Sequence, residues 1–169
     1  MTWVFDPNHS QVLYACRYLG LSLITGSFQD VKAEVDVESS NPGQWSVSAE
    51  IDAASAVSPG YPRREEALRG ENFLDAEKFP TVTFRSTRIE RDGDRLRLTG
   101  QLTLHGVTRD VTLVGHDNGE AIDRRGIRRR GFDAETTINR LDFGIHEGTA
   151  GVAEEVHISL EVQLVWEES

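Results

Sequence analysis

The sequence is short of the residues most chemistry needs. It has one cysteine, Cys16, in 169 residues, which excludes an internal disulfide and any cysteine-built metal cluster. Basic residues are in the minority: 18 Lys and Arg stand against 28 Asp and Glu, a formal net charge of −10. Such a chain repels phosphate backbones, so nucleic acid is not an expected partner. It also repels an anionic membrane surface unless a local patch reverses the sign. No run approaches the ~18 apolar residues of a membrane-spanning helix. The N-terminus, Met1-Thr2-Trp3-Val4-Phe5-Asp6-Pro7, has neither the basic nor the apolar segment of a secretory signal, and a cytoplasmic location is the expectation. The Asn8-His9-Ser10 sequon then carries no weight.

Catalytic and cofactor signatures are also missing. There is no phosphate-binding glycine loop, no Gly-x-Ser-x-Gly elbow and no Cys-x-x-Cys. His146-Glu147 begins like a zinc motif, but no second histidine follows four residues after the first. His9, His105, His116, His146 and His157 do not fall at ligand spacing, so neither metal nor cofactor is expected. His9 and Ser10 are adjacent, and on an extended strand neighbours point to opposite faces. They cannot form a nucleophile–base pair; the expected role is a buried, hydrogen-bonded structural one. His105, in a tight turn, and His157, on a wet strand face, read as surface residues.

What is present is alternation. Val12, Tyr14, Cys16 and Tyr18 share one face; Val31, Ala33, Val35 and Val37 share another; Trp45, Val47, Ala49 and Ile51 follow. Leu96, Leu98, Gly100, Leu102 and Leu104 alternate with polar residues, and the longest run is Val156, Ile158, Leu160, Val162, Leu164 and Trp166. Period two with one wet face marks half-buried antiparallel strands. Asp92-Gly93 and His105-Gly106 read as tight hairpin turns, Asn41-Pro42-Gly43 and Asn118-Gly119 as chain breaks, and Gly100 as a bulge or barrel corner. The pattern predicts eight strands, at 11–18, 26–38, 44–52, 80–91, 94–105, 107–117, 128–139 and 154–167. Residues 59–80 form a crossover between the third and fourth of these, with a short helix over Arg63–Arg69. Pro62 fits its first position and Gly70 its cap. The fold class is all-β, a single domain over residues 1–169: a closed eight-stranded antiparallel barrel, with a solid sandwich as the alternative.

A narrow eight-stranded barrel is filled by side chains or by one small ligand. Long strands lined with apolar residues suit a chain-shaped guest. The expected lining is Tyr14, Phe84, Leu98, Leu102, Leu113, Phe132, Ile158 and Leu160, joined by Tyr18, Ile138 and Phe143, with Phe73 and Leu74 capping the mouth. Arg124, Arg125, Arg128, Arg129 and Arg130 read either as a solvated hairpin or as a cationic rim for an anionic head group. Arg140 and Asp142 read as an ion pair or loop brace.

Several segments in order resemble the YceI-like family, bacterial lipid- or polyisoprenoid-binding domains. They are Asp6-Pro7-Asn8-His9-Ser10, Gly26-Ser27-Phe28, Phe79-Pro80-Thr81-Val82-Thr83-Phe84-Arg85-Ser86-Thr87, Gly100 to Arg109, and Ile138-Asn139-Arg140-Leu141-Asp142-Phe143-Gly144-Ile145. The resemblance implies an elongated, lipocalin-like barrel whose apolar tunnel binds, stores or transports an isoprenoid or fatty lipid without catalysis. This chain departs from the family in three places. Tyr18 replaces a histidine late in the first strand, Arg64-Glu65-Glu66-Ala67-Leu68 replaces Arg-Asp-x-His-Leu, and Asn72-Phe73-Leu74 replaces Asp-Phe-Phe. A homodimer is compatible with the sequence, which is otherwise silent on assembly. The rival readings are a solid-core interaction adaptor and an enzyme acting on a lipid held in the barrel.

Overall fold

The computed structural model describes residues 1–146 and 151–168. The alternating segments form one antiparallel sheet of eleven strands. In chain order they are β1 (Thr2–Phe5), β2 (Gln11–Tyr18), β3 (Ser22–Phe28), β4 (Val31–Asp36), β5 (Ser46–Asp52), β6 (Ala56–Val57), β7 (Thr81–Asp92), β8 (Arg95–Leu104), β9 (Val107–Ile122), β10 (Arg128–Asn139) and β11 (Glu155–Glu167). The α-helix α1 (Pro62–Arg69) lies in the crossover between β6 and β7, with Pro62 in its first turn and Gly70 closing it.

Eleven strands make eight staves. β3 and β4 are separated only by Gln29 and Asp30: β3 pairs with β6 through Phe28–Ala56, and β4 pairs with β5 through Val31–Ile51. β5 and β6 are likewise joined by a single turn, Ala53–Ser55, capped by the Asp52 carboxylate. β1 and β2 lie along the same edge of β11, against residues 164–167 and 157–161. Joining each pair end to end closes the ring: β1/β2, β3/β4, β5/β6, then β7 to β11. The predicted strand at 26–38 is therefore one stave with a bend. β1 and β6 are too short to carry an alternation signal.

The joint between β1 and β2 explains the Asp6-Pro7-Asn8-His9-Ser10 segment. Asp6 Oδ1 accepts from the Asn8 amide at 3.0 Å, and Asp6 Oδ2 lies 2.7 Å from both His9 Nδ1 and Arg129 Nη1. The Ser10 hydroxyl donates to the Asp6 carbonyl at 2.7 Å and accepts from the Gln163 amide at 2.9 Å. His9 is hydrogen-bonded as expected but half exposed rather than buried, although its partner Asp6 is largely covered.

Other local expectations shift in detail. The β7–β8 turn is Gly93-Asp94, since Asp92 still pairs with Arg95. Asn118 does not end a strand: β9 continues to Ile122 with a register shift opposite Gly131/Phe132. The true turn uses the Asp123 carboxylate, which accepts the Arg125 and Ile127 amides at 2.8 and 3.1 Å. Gly100 sits opposite a bulge between Ser86 and Arg88, where a Cβ would fall 2.4 Å from the Phe84 ring. His105 is half-buried rather than on the surface. Its ring lies 4.5 Å from that of Phe79, and Nδ1 is 3.1 Å from the Phe143 carbonyl oxygen.

Two apolar clusters occupy the two ends of the barrel. At the helical end, Leu74, Val82, Leu102, Leu104, Ile138 and Phe143 pack with Ala53 and Ala56. At the other, Trp3, Val37, Trp45, Ile89 and Leu164 pack together.

Candidate functional site

Side chains do not fill the space between these clusters. An apolar cavity of about 340 Å³ runs along the axis. On β11 its wall extends from Val156 to Val162, roughly 20 Å at ~3.3 Å per residue. Every stave contributes its inward set, and the pairing places these residues at one height. Tyr14 faces Ile158 and Val12 faces Leu160 across β2 and β11; Phe84 faces Leu102, and Leu98 faces Leu113, across β7, β8 and β9.

The eight residues expected to form the wall all do so: Tyr14, Phe84, Leu98, Leu102, Leu113, Phe132, Ile158 and Leu160. Ile138 joins them, and Phe73 and Leu74 cover the helical end together with Leu68 of α1. Tyr18 and Phe143 do not line the cavity. Tyr18 has the inward parity of β2 but lies beyond the rim, 44% exposed. Phe143 is 2% exposed and packs inside the helical-end cluster, held by the short turn Arg140–Phe143. The wall also contains Trp45, Val47, Ala49 and Ile51, with Val31, Ala33, Val35 and Val37 from the neighbouring stave, residues outside the expected lining although their alternation marks one face.

Two polar side chains at the wall, those of Tyr14 and Arg140, are bonded to backbone carbonyls. The Tyr14 hydroxyl donates to the Val57 carbonyl at 2.8 Å. Burial is the main cause that pushes its pKa up to about 12. Burial likewise raises the Cys16 thiol above its ordinary value, against the opposing charges of Arg140 and Arg64. Arg140 is the one buried charged residue of the wall, and it is a brace, not half of an ion pair with Asp142. It donates to the carbonyls of Ala153 (2.9 Å), Ile145 (2.6 Å) and Val152 (3.1 Å), so it pins both sides of the loop after β10. Among the described residues, no cluster of three His, Cys, Asp or Glu side chains is placed to hold a metal. Glu147, half of the His146-Glu147 pair, lies outside the described residues.

The arginine run is not a free cationic rim. Arg128 donates to Glu120 at 2.7 Å and lies over the rings of Trp3 and Trp166, 5.3 Å from each centroid. Arg129 donates to Asp123 and Asp6 at 3.0 and 2.7 Å. Arg130 donates to Asp117 at 2.6 Å and stacks between Trp45 and Phe132. These pairs and stacks crowd the end of the barrel opposite α1; Arg128 is still half exposed, and Arg124 and Arg125, at the hairpin tip, are exposed. Trp3, Val37, Trp45, Ile89 and Leu164, all buried, pack together here and close this end of the cavity. No helix among the described residues is long and apolar enough to cross a membrane.

Comparison with known proteins agrees with this architecture. The sequence profile of the YceI-like domain matches residues 3–164. Protein YceI of Escherichia coli O157:H7 is 35% identical over 158 residues, covering 94% of this chain and 82% of that protein. Protein YceI of Salmonella arizonae is similar to the same extent. Among solved structures, Burkholderia cenocepacia BcnA superposes with a TM-score of 0.84 at 26% identity, covering 94% of this chain and 98% of that one. A polyisoprenoid-binding domain from Saccharophagus degradans shares the fold at 14% identity, with a TM-score of 0.70 and 99% of each chain covered. With its profile matched from the first strand to the last, the chain belongs to the YceI-like family.

Proposed function

We propose that this protein is a non-catalytic carrier or store for a long-chain amphiphile, with a polyisoprenoid as its guest. The observation that carries the reading is the cavity: long, narrow, apolar over nearly its whole wall, and blind at one end. A flexible hydrocarbon chain fits that shape. Each buried methylene contributes ~0.8 kcal/mol, so a five-carbon unit contributes roughly 3–4 kcal/mol. Docking and ordering the chain cost several kcal/mol, and a few buried units leave about the −8 kcal/mol of micromolar binding. The fold shared with a polyisoprenoid-binding domain supports the same choice of guest.

Binding without turnover is supported by the state of the wall. The Tyr14 hydroxyl and the Arg140 guanidinium are committed to backbone carbonyls. The Cys16 thiol is shifted towards its protonated, unreactive form. Tyr14 and Arg140 are held by these bonds, and a protonated Cys16 is a poor nucleophile towards a bound chain.

Native mass spectrometry with added geranylgeraniol tests the reading. The wild type takes up one molecule; Ala49→Trp, which fills the lumen without adding charge, stays folded and does not. Absence of uptake by the wild type, or equal uptake by the filled variant, overturns the proposal. Consumption of geranylgeranyl diphosphate over time would replace carriage with catalysis.

A further inference from the structure

We propose that the tip of the β2–β3 hairpin, residues Tyr18 to Leu23, inserts into a lipid bilayer and sets the helical end of the lumen against the membrane. Among the described residues, this tip gathers the most exposed large apolar side chains in one place. Leu21 is 82% exposed, Leu19 59% and Leu23 51%, beside the half-exposed Tyr18. The turn itself places a leucine where glycine or asparagine is at home. Leu19 and Gly20 have φ of +55° and +67°, and the Leu21 amide donates to the Tyr18 carbonyl at 3.0 Å.

Charge points the same way. From Pro7 to Gln29 the chain has no Asp or Glu, although it carries 28 of them in 169 residues. Arg17 is the one Lys or Arg in that stretch, paired across the ribbon with Leu23. The hairpin is thus cleared of the carboxylates that resist entry into a membrane interface. The rest of the surface keeps its strong negative charge.

Shape selects the bilayer over a protein partner. A docking surface is apolar on one face, whereas this ribbon end is apolar on both: Tyr18 has the inward parity of β2, and Leu23 the outward parity of β3. A few side chains at the end of a two-stranded ribbon also fall short of the ~800 Å² per partner of a stable dimer. Tyr18 and Leu19 are flanked by Val152 and Gly151, with the Leu19 amide donating to the Gly151 carbonyl at 2.6 Å, and beyond that contact the apolar tip can be immersed in a fluid phase. Its position gives the insertion a purpose: Cys16, two residues before Tyr18 on the same face, already lines the cavity. An inserted tip holds that end of the lumen ~7 Å from the chains a carrier would load.

Flotation of the full chain with phosphatidylcholine vesicles tests this. The wild type floats, and Leu21→Asp and Leu23→Asp each lower partitioning about tenfold, while Leu21→Trp does not. Adding phosphatidylglycerol does not strengthen binding, since apolar insertion and not cationic attraction drives it. Because Leu21 and Leu23 lie outside the cavity, both Asp variants still take up geranylgeraniol from detergent solution. That control separates failure of this inference from failure of the carrier reading. A wild type that does not float, Asp variants that float equally, or a strict need for phosphatidylglycerol would overturn the proposal. So would a native-mass dimer that Leu21→Asp converts to monomer with no change on vesicles.

Discussion

Trp45 and Phe132 meet edge to face at the blind end of the lumen, ring centroids 6.3 Å apart and interplanar angle 78°. Trp45 immediately precedes β5 and Phe132 lies on β10, strands that are not neighbours in the sheet, so the contact bridges the barrel interior. Trp45 is held from outside as well: its indole N–H donates to the Ser39 carbonyl at 2.7 Å, and the Arg91 and Arg130 guanidiniums lie 5.8 and 5.1 Å from its ring. A rigid floor of this kind can select chain length, which the smooth apolar wall cannot do.

Trp45→Ala should therefore deepen the lumen and change which guest wins. In a native-mass competition between geranylgeraniol and a longer polyprenol, the variant shifts toward the longer chain. It also loses about 3–5 kcal/mol of stability in urea. An unchanged preference would remove Trp45 from the floor.

The same floor makes stability depend on pH through Asp117. This carboxylate is almost wholly buried, 2.6 Å from Arg130 and 3.0 Å from Arg91. Burial alone would raise its pKa, but the hydrogen bond from Arg130, that from the Gly119 amide, and the charges of Arg130 and Arg91 more than offset it. The net shift is downward. A depressed pKa means that the unfolded chain binds the proton more readily. The stabilisation is complete above the ordinary carboxylate value of about 3.9 and is lost as the pH falls through the folded one. Asp117→Asn costs about 3 kcal/mol at neutral pH, because it leaves two arginines without their counter-charge. In acid titrations of stability, the variant shows a shallower decline than the wild type.

Much of this was legible in the sequence, and the limits have physical causes. The lining residues Phe84, Leu98, Leu102, Leu113, Ile158 and Leu160 follow from alternation alone, because period two assigns a face wherever a strand is long. Tyr18 failed because parity assigns a face but not a height: two residues past Cys16, the strand has left the barrel. Phe143 failed because it belongs to a turn, where period two does not apply. The arginines of β10 could be seen as a cluster, but their carboxylates, Asp6, Asp117, Glu120 and Asp123, come from other parts of the chain. Only the folded pairing shows that Arg128, Arg129 and Arg130 are already neutralised.

Gly26 gives a backbone test of the same wall. A Cβ there would fall 2.0 Å from the Tyr14 hydroxyl oxygen and 2.1 Å from the Val57 carbonyl oxygen, the two atoms joined by the Tyr14 hydrogen bond. Gly26→Ala must displace either the tyrosine or β6. We expect a loss of about 3 kcal/mol in urea unfolding, against about 1 kcal/mol for Tyr14→Phe, which removes only the hydrogen bond. If the two costs are equal, the glycine is not there to make room for the phenol.

Tyr14 also makes a prediction at high pH. Burial is the main cause that raises its pKa to about 12, against about 10 for an unperturbed phenol. Between these values the folded chain keeps a proton that the unfolded chain releases. This site's contribution to stability is therefore complete below about 10 and is lost as the pH rises towards 12. Following phenolate absorbance across that window, the wild type shows a late component that Tyr14→Phe lacks. Urea midpoints fall more steeply for the wild type than for the variant over the same range. A guest that fills the lumen removes further water from the phenol, so geranylgeraniol should move the late component to still higher pH. If the added guest leaves it in place, the chain does not pass Tyr14, and the route of the ligand through the barrel must be redrawn.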